Sequence, residues 1–106
     1  MIAKTPKAPY FAVIFTSQRT AEEKGYGNMA EKMAEMAEKQ DGFLGYESVT
    51  DEKLGITVSY WSSVESIKAW KDQTDHAVAQ KKGKSDWYQA FKVRICQVVR
   101  DYDFTV

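Results

Sequence analysis

The sequence is poor in the residues that build covalent and metal-dependent sites. Its 106 residues include one cysteine, Cys96, and one histidine, His76. A single cysteine can form no disulfide within the chain, and a structural zinc site needs about four Cys or His ligands. A Ser-His-acid or Cys-His catalytic device would have to use His76. We therefore expect no disulfide scaffold and no metal site.

Glycine spacing and net charge exclude further classes. None of the six glycines falls in the spacing of a dinucleotide-binding or phosphate-binding loop. Fifteen Lys and Arg balance fifteen Asp and Glu, so the chain has no general attraction for nucleic acid or for an anionic membrane. The longest apolar run, Tyr10 to Phe15, is far shorter than the roughly 20 residues that span a bilayer. The N-terminal residues lack the apolar core of a signal peptide. We expect a cytoplasmic protein that binds neither nucleic acid nor membrane.

The sequence contains enough apolar residues for one packed domain. A chain of 12.1 kDa with 43% hydrophobic residues is typical of a single globular unit. We predict a flexible arm at residues 1–8 and one domain at residues 9–106. Apolar and β-branched patterns predict four strands, at residues 10–18, 43–50, 54–61 and 90–102.

Helical periodicity predicts the elements between these strands. An apolar stripe at steps of three and four indicates a helix within residues 19–40. Ser62 and Glu65 form a capping-box pattern that begins a second helix, which we expect to carry Val64, Ile67 and Trp70 inward and to end near Thr74. A further short helix is predicted over residues 75–82, and Ser85-Asp86 is predicted to cap one more turn holding Trp87 and Tyr88.

The predicted order of elements is β-α-β-β-α-β, which is typical of α+β ferredoxin-like folds with a four-stranded antiparallel sheet. The first and last strands are apolar on both faces, whereas two helices can cover only one face of such a sheet. A second copy of the sheet is the simplest cover for the other face. The sequence therefore predicts a homodimer.

The stretch from Ser59 to Tyr102 resembles the antibiotic biosynthesis monooxygenase (ABM) family of dimeric α/β barrels. The resemblance rests on an aromatic-Trp pair that ends the third strand, a Ser-capped helix with a Trp, a His followed by Ala-Gln, an Arg in the last strand, and a closing Arg-Asp-Tyr. In this chain these features are Tyr60-Trp61, Ser62 with Trp70, His76 with Ala79-Gln80, Arg94, and Arg100-Asp101-Tyr102.

The resemblance implies two sheets that form a dimeric barrel and a pocket between sheet and helices. It implies a cofactor-independent monooxygenase that oxidises a small aromatic substrate, such as an anthrone or hydroquinone, with O2 and without metal or flavin. His76 and Arg94 are the candidate catalytic groups. The candidate substrate-binding residues are all aromatic: Trp61, Trp70, Trp87, Tyr60, Tyr88 and Phe91.

Two other functions fit the same resemblance. The chain could be a non-enzymatic protein that binds haem or another hydrophobic molecule, or a cofactor-free isomerase or decarboxylase in which Arg94 holds a carboxylate. The haem-degrading branch of the family has a histidine where this chain has Gln80, and an asparagine in the first strand where it offers Thr16 and Ser17. Haem is therefore disfavoured.

Structural roles compete with these functional ones. His76 could begin a helix and bond to a neighbouring group, and Trp70 has the spacing of a core residue beside Ile67. An arginine within an apolar strand needs a carboxylate partner. Glu47 on the second strand is the partner that we expect for Arg94.

Overall fold

The computed structural model describes residues 2–20, 26–81 and 88–106, with the backbone alone described for residues 26–30 and 76–81. The elements are β1 (Tyr10–Arg19), α1 (Tyr26–Glu38), β2 (Phe43–Thr50), β3 (Leu54–Trp61), α2 (Val64–Lys81) and β4 (Tyr88–Val98). This order confirms the predicted ferredoxin-like βαββαβ arrangement. Strands β2 and β3 begin and end at the predicted residues.

The four antiparallel strands lie in the order β2-β3-β1-β4, which makes β1 and β3 central. Phe11 on β1 lies opposite Trp61 on β3 and Gln97 on β4. Because directly opposed residues share a face of the sheet, Phe11, Val13 and Phe15 mark one face and Tyr10, Ala12 and Ile14 the other. Helix α2 packs on the first face, where Trp70 stacks on Trp61. We call the first the helix face and the second the outer face.

Helix α2 differs from its prediction at its start and in its middle. The Ser63 hydroxyl accepts the Ser66 amide at 3.1 Å, so Ser63 is the N-cap and the prediction of Ser62 was wrong. The predicted break at Thr74 was also wrong, because α2 continues to Lys81. The Thr74 hydroxyl donates to the Lys71 carbonyl within the helix, and the exposed Lys71–Asp75 ion pair spans the predicted break at 2.6 Å.

The first turn of α2 contradicts another expectation. Val64, expected to point inward, is 48% exposed, whereas Ile67 is buried as predicted. Val64 and Glu65, the first two residues of α2, are both exposed. The first core contact of α2 therefore comes one turn later, at Ile67.

Strand β4 is shifted relative to its prediction. It begins at Tyr88 and ends at Val98, not at Tyr102, because Val98 lies opposite Tyr10, the first residue of β1. Beyond Val98 the central strand offers no further residue for pairing. Tyr88, expected in a helical turn, is instead paired with Arg19 after a shift in register. Trp87 and the predicted cap at Ser85-Asp86 lie outside the described residues.

The core lies mainly between the helices and the sheet. Of the side chains that the structure describes, the buried apolar ones are Ala37 of α1, Ile67 of α2, Trp61 of β3, and Tyr10 and Ala12 on the outer face of β1. In the described part of the chain, no helix is long and apolar enough to cross a membrane.

The N-terminal residues cover one end of the outer face. The Ala3 amide donates to Glu47 Oε2 at 2.9 Å, and the Thr5 hydroxyl donates to the Tyr10 hydroxyl at 2.9 Å. The flexibility of residues 1–8 in solution, and the domain boundary at residue 9, stay predictions.

Candidate functional site

The structure divides the predicted site residues between the two faces of the sheet. Trp61 and Phe91 lie on the helix face, since they oppose Phe11 and Ser17 of β1. Tyr60 and Arg94 lie on the outer face, opposite Ala12 and Ile14. One pocket between sheet and helices can therefore contain the first pair but not the second.

The tryptophan pair forms the apolar floor of the helix face. Trp61 has no exposed surface, and its indole nitrogen donates to the Ser59 hydroxyl at 2.9 Å. Its ring stacks on Trp70 with centroids 6.0 Å apart, and the Phe43 ring meets it edge-on at 5.4 Å. Trp70 is half-buried, so a molecule bound at this end would contact Trp70 before Trp61. The substrate-binding role of both stays a prediction.

A second aromatic cluster lies at the opposite end of the same face. The rings of Phe15, Tyr88 and Phe91 contact one another, with all three centroid distances between 5.5 and 5.8 Å. Edge and tilted contacts of this kind are favourable arrangements for aromatic pairs and stabilise the cluster. Phe15 was not predicted as a site residue. Phe15 lies in a central strand, and its contact with the predicted Phe91 could be found only from the strand register.

Strand β4 extends this cluster into an apolar surface. Phe91, Val93 and Ile95 all point to the helix face and are 40%, 45% and 53% exposed. Together with Phe15 and Tyr88 they form what we call the β4 strip. The β4 strip can bind a flat apolar molecule by ring contact and burial, and its own side chains supply no charge.

The outer face carries a hydrogen-bonded network that the sequence analysis missed. The Tyr60 hydroxyl donates to Glu47 Oε1 at 2.6 Å, and the Tyr10 hydroxyl donates to Asp101 Oδ2 at 2.5 Å. The Tyr10 and Tyr60 rings meet edge-on at 5.9 Å. Period-two alternation puts Tyr10 on one face of β1, but only the register brings Glu47 and Tyr60 into contact.

This network shifts the pKa of each tyrosine and of Glu47. Burial, together with the Glu47 carboxylate, raises the pKa of Tyr60 to about 12. The hydrogen bond from Tyr60, followed by that from the Ala3 amide, lowers the pKa of Glu47. The hydrogen bond to Asp101 raises the pKa of Tyr10. At neutral pH both tyrosines are therefore donors and Glu47 is an acceptor.

The predicted Arg94–Glu47 ion pair was wrong for a single chain. The two residues lie in one transverse row, Glu47–Val58–Ile14–Arg94. Three strand spacings separate them by about 14 Å. Arg94 is exposed, and among the described residues it has no ion-pair partner.

His76 lies within α2, but its side chain, like the whole of Trp87, is outside the described part of the chain. Its role as a catalytic group stays a prediction. The residues whose side chains are described contain no group of three His, Cys, Asp or Glu that could hold a metal ion.

Residues 11–96 match a family model described as Monooxygenase af470-like. The chain belongs to this family. It is also similar to the Bacillus subtilis (strain 168) protein YqjZ, described as uncharacterized, with 47% identity over 100 residues that cover 93% of this chain and 88% of YqjZ.

Solved structures share the fold of this monooxygenase family member at low sequence identity. NE2512 from Nitrosomonas europaea, a protein of unknown function, has a TM-score of 0.74 at 7% identity and covers 95% of this chain and all (100%) of its own. SnoaB from Streptomyces nogalater, described as a cofactor-independent oxygenase, has a TM-score of 0.69 at 10% identity, covering 90% of this chain and 97% of SnoaB. Other structures with this fold are named for antibiotic biosynthesis monooxygenases. The resemblance to the ABM family and the predicted fold of the single chain are therefore confirmed.

Proposed function

We propose that this protein is a homodimeric, cytoplasmic monooxygenase that oxidises a small electron-rich aromatic substrate with O2 and needs no metal, flavin or haem. The observation that carries the proposal is the β4 strip, an aromatic and aliphatic surface on the helix face of which Phe91, Val93 and Ile95 are exposed. Family membership supports the reaction class. The fold shared with SnoaB, a cofactor-independent oxygenase, supports the absence of a resident cofactor.

The proposed chemistry places modest demands on the protein. An anthrone or hydroquinone loses a proton and passes an electron to O2. The substrate radical and the superoxide that result then combine. For an anthrone, one oxygen atom remains as a new carbonyl and the other leaves as water. The β4 strip would exclude water around the substrate ring. A proton acceptor that titrates near neutral pH is also needed, and His76 is the histidine that the chain offers.

An oxygen electrode with a panel of anthrones and hydroquinones tests this function. We expect wild-type protein to consume O2, and Phe91→Ser to raise KM roughly tenfold or more through lost ring burial. His76→Ala is expected to lower kcat roughly 100-fold or more. Val64→Ser serves as the control, since Val64 is a similarly exposed apolar residue at the start of α2. Absence of O2 consumption across the panel would overturn the proposal.

Arg94→Ala decides which face holds the substrate. Because Arg94 lies on the outer face, activity that depends on the β4 strip should survive this substitution. If Arg94→Ala abolishes turnover while Phe91→Ser does not, the site lies on the outer face and our placement is wrong.

Titration with hemin tests the cofactor-free part of the proposal. We expect no saturating Soret shift at one haem per chain. A saturating shift that disappears in His76→Ala would assign His76 as a haem ligand and contradict the proposal.

The outer face supports the homodimer. Val49, Leu54 and Ile56 lie on this face at the β2–β3 hairpin end of the sheet and are 77%, 42% and 41% exposed. We call these three residues the outer patch. Adjacent exposed apolar side chains on a sheet are typical of an interface, and a second copy of the sheet would cover them.

A further inference from the structure

The segment that follows β4, residues 99–106, carries apolar side chains that the chain itself does not cover. Val99, Tyr102 and Phe104 are 74%, 88% and 85% exposed. Tyr102, Phe104 and Val106 alternate with Asp103 and Thr105, the period-two pattern of a strand with one apolar face. Two neighbouring aromatics at this exposure are unusual on a free surface. The pattern therefore points to a partner surface.

The first residues of this segment are fixed at one end of the outer face. Asp101 accepts the hydrogen bond from Tyr10, the first residue of β1. The same end is already occupied by Ala3 and Thr5, which bond to Glu47 and Tyr10. Residues 102–106 therefore begin at the end of the outer face that residues 3 and 5 already cover.

The outer patch lies at the opposite end of the same face. Leu54 pairs with Gln18 of β1, eight residues along the strand from Tyr10, which corresponds to roughly 26 Å. The chain therefore has an uncovered apolar segment at one end and an uncovered apolar patch at the other, and the two do not meet.

A two-fold axis that is perpendicular to the strands and parallel to the sheet brings the outer faces of two copies together. It places the Tyr10 end of one copy over the Leu54 end of its partner, and the same contact then forms twice. We propose that residues 102–106 of each copy lie across the outer patch of the other. This inference rests on the proposed homodimer and specifies which segment completes it.

The sizes of the two surfaces agree with this arrangement. Tyr102 and Phe104 could bury roughly 300–500 Å² per copy. Two such segments with the two patches that receive them approach the roughly 1,200–2,000 Å² of a stable interface.

Sedimentation equilibrium over a range of protein concentrations tests the inference. Deletion of residues 102–106 retains Asp101 and its bond to Tyr10, and we expect it to raise the dimer Kd about tenfold or more. Phe104→Ser and Ile56→Ser should each raise the Kd in the same way. Thr105→Ser, on the other side of the alternation, is the matched control and should leave the Kd unchanged.

The combined variant separates direct contact from general weakening. If Phe104 and Ile56 touch across the interface, the double variant should raise the Kd less than the product of the single effects. If the dimer Kd is unchanged in the deletion and in both single variants, this inference is overturned, whereas the proposed homodimer stands. A full-length chain that sediments as a monomer would overturn both, and the oxygen assay would still decide the activity.

Discussion

Gly42 joins the end of α1 to the start of α2 through its backbone. Its φ is +85°, a region that side chains disfavour, and its carbonyl accepts the Ser62 amide at 2.8 Å. A Cβ at this position would lie 2.2 Å from the Ser66 hydroxyl oxygen and 2.7 Å from that of Ser62. The turn therefore requires glycine for both conformation and space.

We expect Gly42→Ala to lower the free energy of unfolding by about 1–3 kcal/mol, measured by urea denaturation. Gly55→Ala is the matched control. Gly55 is buried, but its added Cβ would meet its nearest atom, the Ser17 hydroxyl oxygen, at 3.2 Å. Gly55→Ala should lower the free energy of unfolding by less than Gly42→Ala does. Equal decreases would contradict the role assigned to Gly42.

Glu47 gives a pH-dependent contribution to stability. Its hydrogen bonds lower its folded-state pKa below the ordinary value of 4.5. The stabilisation is therefore complete above the unfolded-state pKa and is lost as the pH falls through the lowered folded-state value. We expect Glu47→Gln to cost about 1 kcal/mol at pH 7 and much less at pH 3.

Urea denaturation of both proteins at pH 7 and pH 3 measures this difference. Glu52→Gln, at an exposed residue of the β2–β3 turn, controls for the change of charge. Tyr60→Phe removes the main donor to Glu47 and should weaken the same pH dependence. A cost of Glu47→Gln that is equal at both pH values would show that the charge of Glu47 contributes nothing.

At the scale of elements, the start of α2 distinguishes two adjacent serines. Ser63→Ala should lower the free energy of unfolding by about 1 kcal/mol, because it removes the oxygen that accepts the Ser66 amide. Ser62→Ala should have little effect, since Ser62 is exposed and does not cap the helix. Thermal or urea unfolding measures both. The reverse order would restore the Ser62 assignment suggested by the sequence.

The sheet determines which side chains can cooperate. The register of β1 with β3 and β4 places Trp61 and Phe91 on one face and Tyr60 and Arg94 on the other. Because successive side chains of a strand point to opposite faces, Arg94 points away from the β4 strip.

At the scale of the whole molecule, the proposed dimer should make stability depend on concentration. Dissociation accompanies unfolding of a dimer, so Tm should rise as the protein concentration is raised. Sedimentation should give about twice the 12.1 kDa of one chain. Phe104→Ser should reduce the concentration dependence, whereas Thr105→Ser should not. A Tm that is independent of concentration, with a 12.1 kDa species, would contradict the dimer.

The sequence by itself determined the βαββαβ order, the bounds of β2 and β3, and the relationship to the ABM family. These follow from local patterns: apolar runs of strand length, a three-residue turn at Asp51 to Lys53, and the aromatic-Trp pair at Tyr60-Trp61. Each signal lies within a few residues of the feature it predicts, so neighbouring residues alone suffice to recognise it.

Only the tertiary structure decided how the site residues are shared between the faces. Whether Glu47 can pair with Arg94 depends on the distance between them across the sheet. Strand order sets that distance, and residue type does not. The end of β4 at Val98 likewise depends on where β1 begins. Pairing between strands that are distant in sequence sets register, and register decides both the network around Tyr60 and the exposure of the β4 strip.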